Sequence, residues 1–246
     1  MNGEHVEVVK QGADALKEWR DVHPDITLDL EGADFTGLDL SSARLRGANL
    51  KGANLSGAKL SRATFAEASL ASANLSDADL GNVSFARADL SDADLTNTNL
   101  FWADLKWAQL EKATLRQSRA VRASFMNAEM MGADLSQSTM LEVDLRNANL
   151  SGAIFRNCNM NGADLSRALM DGTNFSLAMI RDSMWIMADM RNAILEGASL
   201  HRSDMNMAKY DETTMFPAGF DPENTCLLYT SPSPRDRTRS RMPSSA

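Results

Sequence analysis

Cysteine is nearly absent from this chain of 246 residues, which carries two, Cys158 and Cys226. Neither has a second cysteine or a histidine at metal-ligand spacing, so a disulfide framework and a metal site are both excluded as organising devices. Histidine is as scarce: His5, His23 and His201 lie far apart, and no glycine loop of phosphate-binding pattern accompanies them. No nucleophile sits beside a base or a second acid, so neither enzymatic chemistry nor a cofactor is expected. Long apolar runs are missing too, which argues against a membrane span. The opening "MNGEHVEVVK" lacks the basic-then-apolar order of a signal peptide, and a cytoplasmic protein is the expectation. Basic residues are outnumbered, 25 against 33 acidic, for a net charge of −8. Four arginines and one aspartate in the last stretch make that tail positive, so the body is more acidic than the total. With 43% apolar residues the chain has enough material for one continuous core.

What is present is a repeat. From "GADFTGLDLSSARLRGANLKGANLSGAKL" onward a large apolar residue recurs at every fifth position, Phe35, Leu40, Leu45, Leu50 and on to Tyr210. Of these 36 slots, 33 hold Leu, Phe, Met or Ile, and the exceptions are Ala120, Trp185 and Tyr210. Two residues before each slot, Ala fills 26 of 36 positions, which locks the same period a second time. A period of five suits neither a helix nor a plain strand. It suits a chain that runs two or three extended residues and then turns, so that a residue and the one two before it share a face. Four such sides close a square coil of twenty residues. Coils stacked at the strand spacing of about 4.8 Å would bond backbone to backbone, giving about nine coils and roughly 43 Å of rod.

The A(D/N)LXX pattern, clearest in "GANLKGANLSGAKL", "SANLSDADL", "ARADLSDADLTNTNL" and "VDLRNANLSGA", resembles that of the pentapeptide-repeat family over residues 26–218. The resemblance implies an all-β fold, a right-handed quadrilateral parallel β-helix, and generally no enzymatic activity. It also implies one activity to test: some members mimic duplex DNA and modulate DNA gyrase, a few with projecting loops that this uniform rod lacks.

The pattern assigns inside and outside. Leu45, Phe65, Phe85, Leu105, Phe125, Leu145, Leu165 and Trp185 form one interior ladder, with Ala120 a thin spot beside Leu100 and Met140. Asp79, Asp89, Asn99 and Asp134 precede central slots and are placed to bond the turn backbone, while Gly47, Gly52 and Gly57 suit turn torsions. Cys158 stands in an Ala slot and reads as core filler. Over residues 1–25, Val6, Val9, Ala13, Leu16 and Trp19 recur at helical steps, predicting one amphipathic helix across residues 4–22 that caps the open end of the solenoid.

Two surface features stand out. An acidic stripe on two adjoining sides includes Asp77, Asp89, Asp92, Asp94, Glu129 and Asp134. At about −7 it is several-fold more dilute than duplex DNA, which carries about one charge per 1.7 Å, so an ordinary solvated face remains the alternative to DNA mimicry. Apolar groups also point outward: Phe101, Trp102 and Trp107, then Leu177, Met179, Met184, Ile186, Met187 and Met207. Such clusters mark an interface, with an unidentified protein partner or with a second copy as a homodimer. After residues 219–225, where the pentads decay, "CLLYTSPSPRDRTRSRMPSSA" can be written in codons that match a sequencing-library adapter. Residues 226–246 are therefore expected to be an artefact without fixed structure, and no direct nucleic-acid binding is assigned to their arginines.

Overall fold

The computed structural model describes residues 2–230. The chain starts with two helices, α1 (Gly3–Lys10) and α2 (Ala13–Val22), where the sequence predicts one. Asn2 caps α1 by accepting the Glu4 amide at 3.0 Å, with Glu4 in the first turn and Lys10 in the last, as the helix dipole favours. The break falls at Gly12, whose φ of 100° has no place in a helix and which only glycine adopts readily. Val6, Val9 and Leu16 still share the buried side.

These helices meet groups that a preceding coil would otherwise bond. The Asp29 carbonyl takes the Asn2 amide at 3.0 Å, and the Asp29 amide donates to His5 Nδ1 at 3.0 Å. From α2, the Arg20 guanidinium donates to the carbonyls of Ile26 at 2.8 Å and Arg46 at 2.9 Å.

From Asp29 the chain coils. Parallel bridges join residues twenty apart, Asp29 to Asn49, Asn49 to Ser69 and so on around four columns, until the last step, Ile194 to Met215, is twenty-one. The hydrogen bonds repeat with the pentad. Leu50 N donates to Ser69 O at 2.7 Å, Gly52 N to Ala71 O at 2.9 Å, and Ala53 N closes the turn on Leu50 O at 2.9 Å. Each side therefore holds one bridge residue and a two-residue turn, too short to count as a long strand.

The central ladder from Leu45 to Trp185 is fully buried, and rings twenty residues apart stack, Phe65 on Phe85 within it and Phe155 on Phe175 in the ladder that starts at Phe35, each pair at 5.1 Å between centroids. Burying each such side chain contributes about 1.5 to 3 kcal/mol. Ala120 is buried as well. The polar residues that replace Ala in small slots return their bonds to the backbone: Thr98 donates to Leu95 O, Ser138 to Leu115 O, and Cys158 Sγ to Leu135 O. Burial pushes the Cys158 thiol up to about 12, which leaves it inert, as its slot suggested. Trp185 needs an acceptor in the core, and Ser183, standing where Ala is usual, accepts its Nε1 at 2.7 Å.

The repeat loosens at Asp211–Met215. A parallel pair then forms between β1 (Lys209–Tyr210) and β2 (Leu228–Tyr229), with Tyr210, Phe216, Phe220 and Tyr229 in a ring cluster. This corrects one expectation: residues 226–230 are not without structure. The open edge of the last coil presents backbone donors and acceptors, and an extended chain pairs with them largely irrespective of its side chains. The remainder of that tail, residues 231–246, lies outside the described residues. Among the described residues no helix is long and apolar enough to cross a membrane.

Candidate interaction face

The four bridge columns give the rod four faces, named here for their members in one coil: Asn99, Asp104, Gln109 and Thr114. Between them run four corners, marked in that coil by Trp102, Trp107, Lys112 and Gln117. The second residue of each corner sits at left-handed φ, near +60°, whatever its side chain. Gly47, Gly52 and Gly57 occupy this slot without strain, and Asn tolerates it. Trp102 at φ 56°, Trp107 at 61°, Leu177 at 61°, Met187 at 58° and Met207 at 58° do not have that excuse.

A left-handed residue with a Cβ costs roughly 1 to 2 kcal/mol. The same five side chains are about half exposed, 51%, 55%, 51%, 45% and 47% respectively. What partial burial they gain is offset by the strain, so these large apolar groups bring the fold little net stability. Trp102 is further organised: Arg122 lies 5.4 Å over its ring, Glu142 holds that guanidinium at 2.7 Å, and Phe101 meets the ring edge-on at 6.2 Å.

Trp102 and Trp107 flank one face, that of Asp104. Met184 lies on the same face higher up, and Met187 and Met207 continue the Trp107 corner. The apolar residues 177–207 are thus not one patch. Leu177 belongs to the Gln117 corner beside an open hollow of about 420 Å³, where its Cδ2 would lie 2.8 Å from a Cβ at Gly197. Met179 belongs to the Asn99 face. Ile186 is half-buried rather than outward, because the first corner residue lies closer to its neighbours than the left-handed one. Sequence reasoning missed Met131, Leu169 and Met215, at 37%, 50% and 50% exposure. Leu169 was legible as an apolar residue in the column of Asn149 and Asp189.

The acidic stripe lies on the Gln109 and Thr114 faces, with Asp92 and Asp77 at their corners. Five of its six carboxylates are engaged in the fold: Asp89, Asp94 and Asp134 accept turn amides at 3.0, 2.9 and 2.9 Å. Asp77 accepts from Asn97 at 2.6 Å and Glu129 from Asn149 at 2.9 Å. The expected turn bonds at Asp79 and Asn99 form too, at 3.2 and 3.3 Å.

Several acids are held below the ordinary carboxylate range. The Ser61 hydroxyl, at 2.6 Å, does this to Asp79. At Asp144 and Asp189 burial pushes upward, but the guanidinium forks of Arg146 and Arg191 outweigh it. A lowered native value stabilises the fold in full above the ordinary carboxylate pKa and loses that effect as pH falls through the native values. The melting temperature should be level from about pH 7 to about pH 5 and fall below about pH 4. Differential scanning calorimetry across that range checks it, and an unchanged melt at about pH 2.5 would contradict it.

His5 and His23 pack on the two sides of Trp19, at 5.1 and 4.6 Å between ring centroids, and no group of acids, histidines or cysteines among the described residues could hold a metal ion. Comparison with known proteins gives the family. The pentapeptide repeat pattern matches in eight copies over residues 29–65, 63–100, 103–140 and 141–178. No curated protein sequence matches the chain. Two trypsin-treated forms of QnrB1, a plasmid-mediated fluoroquinolone resistance protein, share the fold: one at TM-score 0.53 and 18% identity, over 83% of this chain and 92% of that one, the other at 0.50 and 21%, over 71% and 90%. HetL from the cyanobacterium Nostoc sp. strain PCC 7120, a pentapeptide repeat protein involved in heterocyst differentiation regulation, matches at TM-score 0.42 and 26% identity, over 77% of this chain and 91% of that one. The chain belongs to the pentapeptide repeat family and folds as its members do, into a right-handed quadrilateral β-helix.

Proposed function

We propose that this chain is a non-enzymatic protein–protein interaction or scaffold module of the cytoplasm, a rod of about nine coils capped by its N-terminal helical segment. One observation carries the reading: Trp102 and Trp107 are half exposed in left-handed corner slots, where large rings gain the fold little and a partner much. The experiment is quantitative capture from the source's own extract, with the native chain and with Trp102→Gly/Trp107→Gly as baits. Glycine suits both corners, so the variant keeps its fold. A protein retained by the native rod and lost by the variant is the expected result, and identical captures would overturn the reading.

A second reading rests on the acidic faces. The sides of Gln109 and Thr114 carry a net −7 between residues 33 and 212, while the other two carry +3, and QnrB1 is a fluoroquinolone resistance protein. Taken with the activity that the family resemblance implies, that pair of facts supports modulation of DNA gyrase by DNA mimicry. A supercoiling assay with and without a fluoroquinolone tests it, and no effect at micromolar protein would end it.

A further inference from the structure

We propose that the vacant edge of the last coil, residues 198–205, seats an extended segment of a protein partner that continues the rod by one side and one corner. The segment carries a large apolar residue over Leu200, another over Met205, a small residue two places before the second, and a basic residue between those two. This seat lies about five coils from Trp102 and Trp107, so it goes beyond the reading above and neither depends on the other.

Backbone groups carry the argument. One coil lower, the amides of Ile180, Asp182 and Trp185 donate to the carbonyls of Ser199, His201 and Asp204 at 2.9, 3.1 and 2.7 Å, and the carbonyls of Ala178 and Ser183 accept the Ser199 and Asp204 amides at 2.9 Å each. Their counterparts in the last coil, the amides of Leu200, Arg202 and Met205 and the carbonyls of Ala198 and Ser203, have no partner among the described residues. The chain's own continuation does not supply one. Pro217 and Pro222 lack an amide hydrogen, Gly219 turns at φ 81°, and the Phe220 and Thr225 amides fold back on the carbonyls of Pro217 and Pro222. Pairing resumes only past that detour, where Met207 donates to the Cys226 carbonyl at 2.9 Å. What is left open is one side and one corner of edge, the arrangement that strand addition uses.

Side chains say what the segment carries. From Phe35 to Leu195 every central residue is buried, whereas Leu200 is only half-buried. Beside it is a hollow of about 310 Å³ whose lining includes Leu200, Met205, Phe220 and Thr225. Elsewhere the central residue twenty further on stacks over each, as Phe85 does over Phe65. Here the place over Met205 falls to Thr225, whose hydroxyl turns away to the Pro222 carbonyl at 2.6 Å, so a large apolar group is missing from the stack. Asp204 lines the same hollow; it accepts the Asn206 amide but has no cationic partner among the described residues. Residues 55–60 of the chain, "LSGAKL", show the fitting pattern. There Lys59 lies over Asp39, one coil below, at 3.6 Å, as a lysine of the segment would lie over Asp204.

The test uses the full chain and a fluorescein-labelled peptide, Leu-Ser-Gly-Ala-Lys-Leu, with a scrambled peptide of the same residues as control. Fluorescence anisotropy should show the patterned peptide binding at least about tenfold more tightly than the scrambled one. Asp204→Asn, which can still cap the Asn206 amide but loses the charge, and Asn206→Trp, which fills the hollow that Asn206 lines, should each weaken it about tenfold. Hydrogen exchange reads the backbone without any variant. The Leu200, Arg202 and Met205 amides should exchange rapidly in the chain alone and slow at least about tenfold with the patterned peptide, while Met207 is unchanged. No binding of the patterned peptide up to about 1 mM, equal binding of the scrambled one, or those three amides protected in the chain alone would overturn the inference, the last because a second copy or the chain's own residues would then fill the edge. Each of these leaves the reading of Trp102 and Trp107 standing, and identical captures with the tryptophan variant leave this seat standing.

Discussion

Trp185→Ala is expected to destabilise the rod by about 3 to 5 kcal/mol, the largest loss from any single truncation of its core. Trp185 is the largest of the fully buried side chains and packs edge-on to Phe175 at 5.5 Å. Its removal opens a cavity between coils whose backbones are fixed by bonds above and below, so the site has little room to collapse. It also strips Ser183 of a donor, although that hydroxyl keeps the Ile180 carbonyl at 2.9 Å. Urea denaturation followed by circular dichroism measures the effect. Trp185→Phe should recover much of the loss, because a phenylalanine already fits this ladder at Phe65, Phe85 and Phe125. A loss under about 1 kcal/mol for Trp185→Ala would mean the ladder is not the core.

Exchanging neighbours should do still more. Ala133 is fully buried and Asp134 points outward, so Ala133→Asp with Asp134→Ala keeps the composition and reverses the face. An uncompensated buried carboxylate costs about 3 to 5 kcal/mol and overpacking a further 1 to 3, roughly 4 to 8 in all. That is comparable with the whole stability of many domains, so soluble, folded protein is not expected. A well-folded double variant with a native melt would show the inside and outside assignments to be wrong.

Both predictions come from slots that could be read directly in the amino-acid sequence. The leucine and alanine positions were legible because burial tolerates few exceptions, and a five-residue period admits few backbones. The Asp and Asn turn bonds were legible because short polar side chains have few other partners one residue before a buried slot. The break at Gly12 was not, since Val6, Val9, Ala13, Leu16 and Trp19 keep a helical spacing straight across it. The difference between Ile186 and Met187 was also hidden: both are corner residues, and only the left-handed φ of the second turns its side chain fully outward. The same torsion gives Trp102 and Trp107 their meaning. Their slot is the one held by Gly47, Gly52 and Gly57, so the signal was present, but it needed the backbone to become an argument about cost. The pairing of residues 226–230 was illegible because it depends on an open edge rather than on a pattern.

The account turns on the claim that the outward rings serve a partner rather than the fold. Equilibrium denaturation of Trp102→Gly and Trp107→Gly tests this most directly, at protein concentrations low enough to keep the chain monomeric. Relief of left-handed strain and loss of partial burial should nearly cancel, leaving each variant within about 1 kcal/mol of the native chain. A loss of about 3 kcal/mol or more, the size of a core truncation, would contradict the account, because it would make these tryptophans part of what holds the rod together.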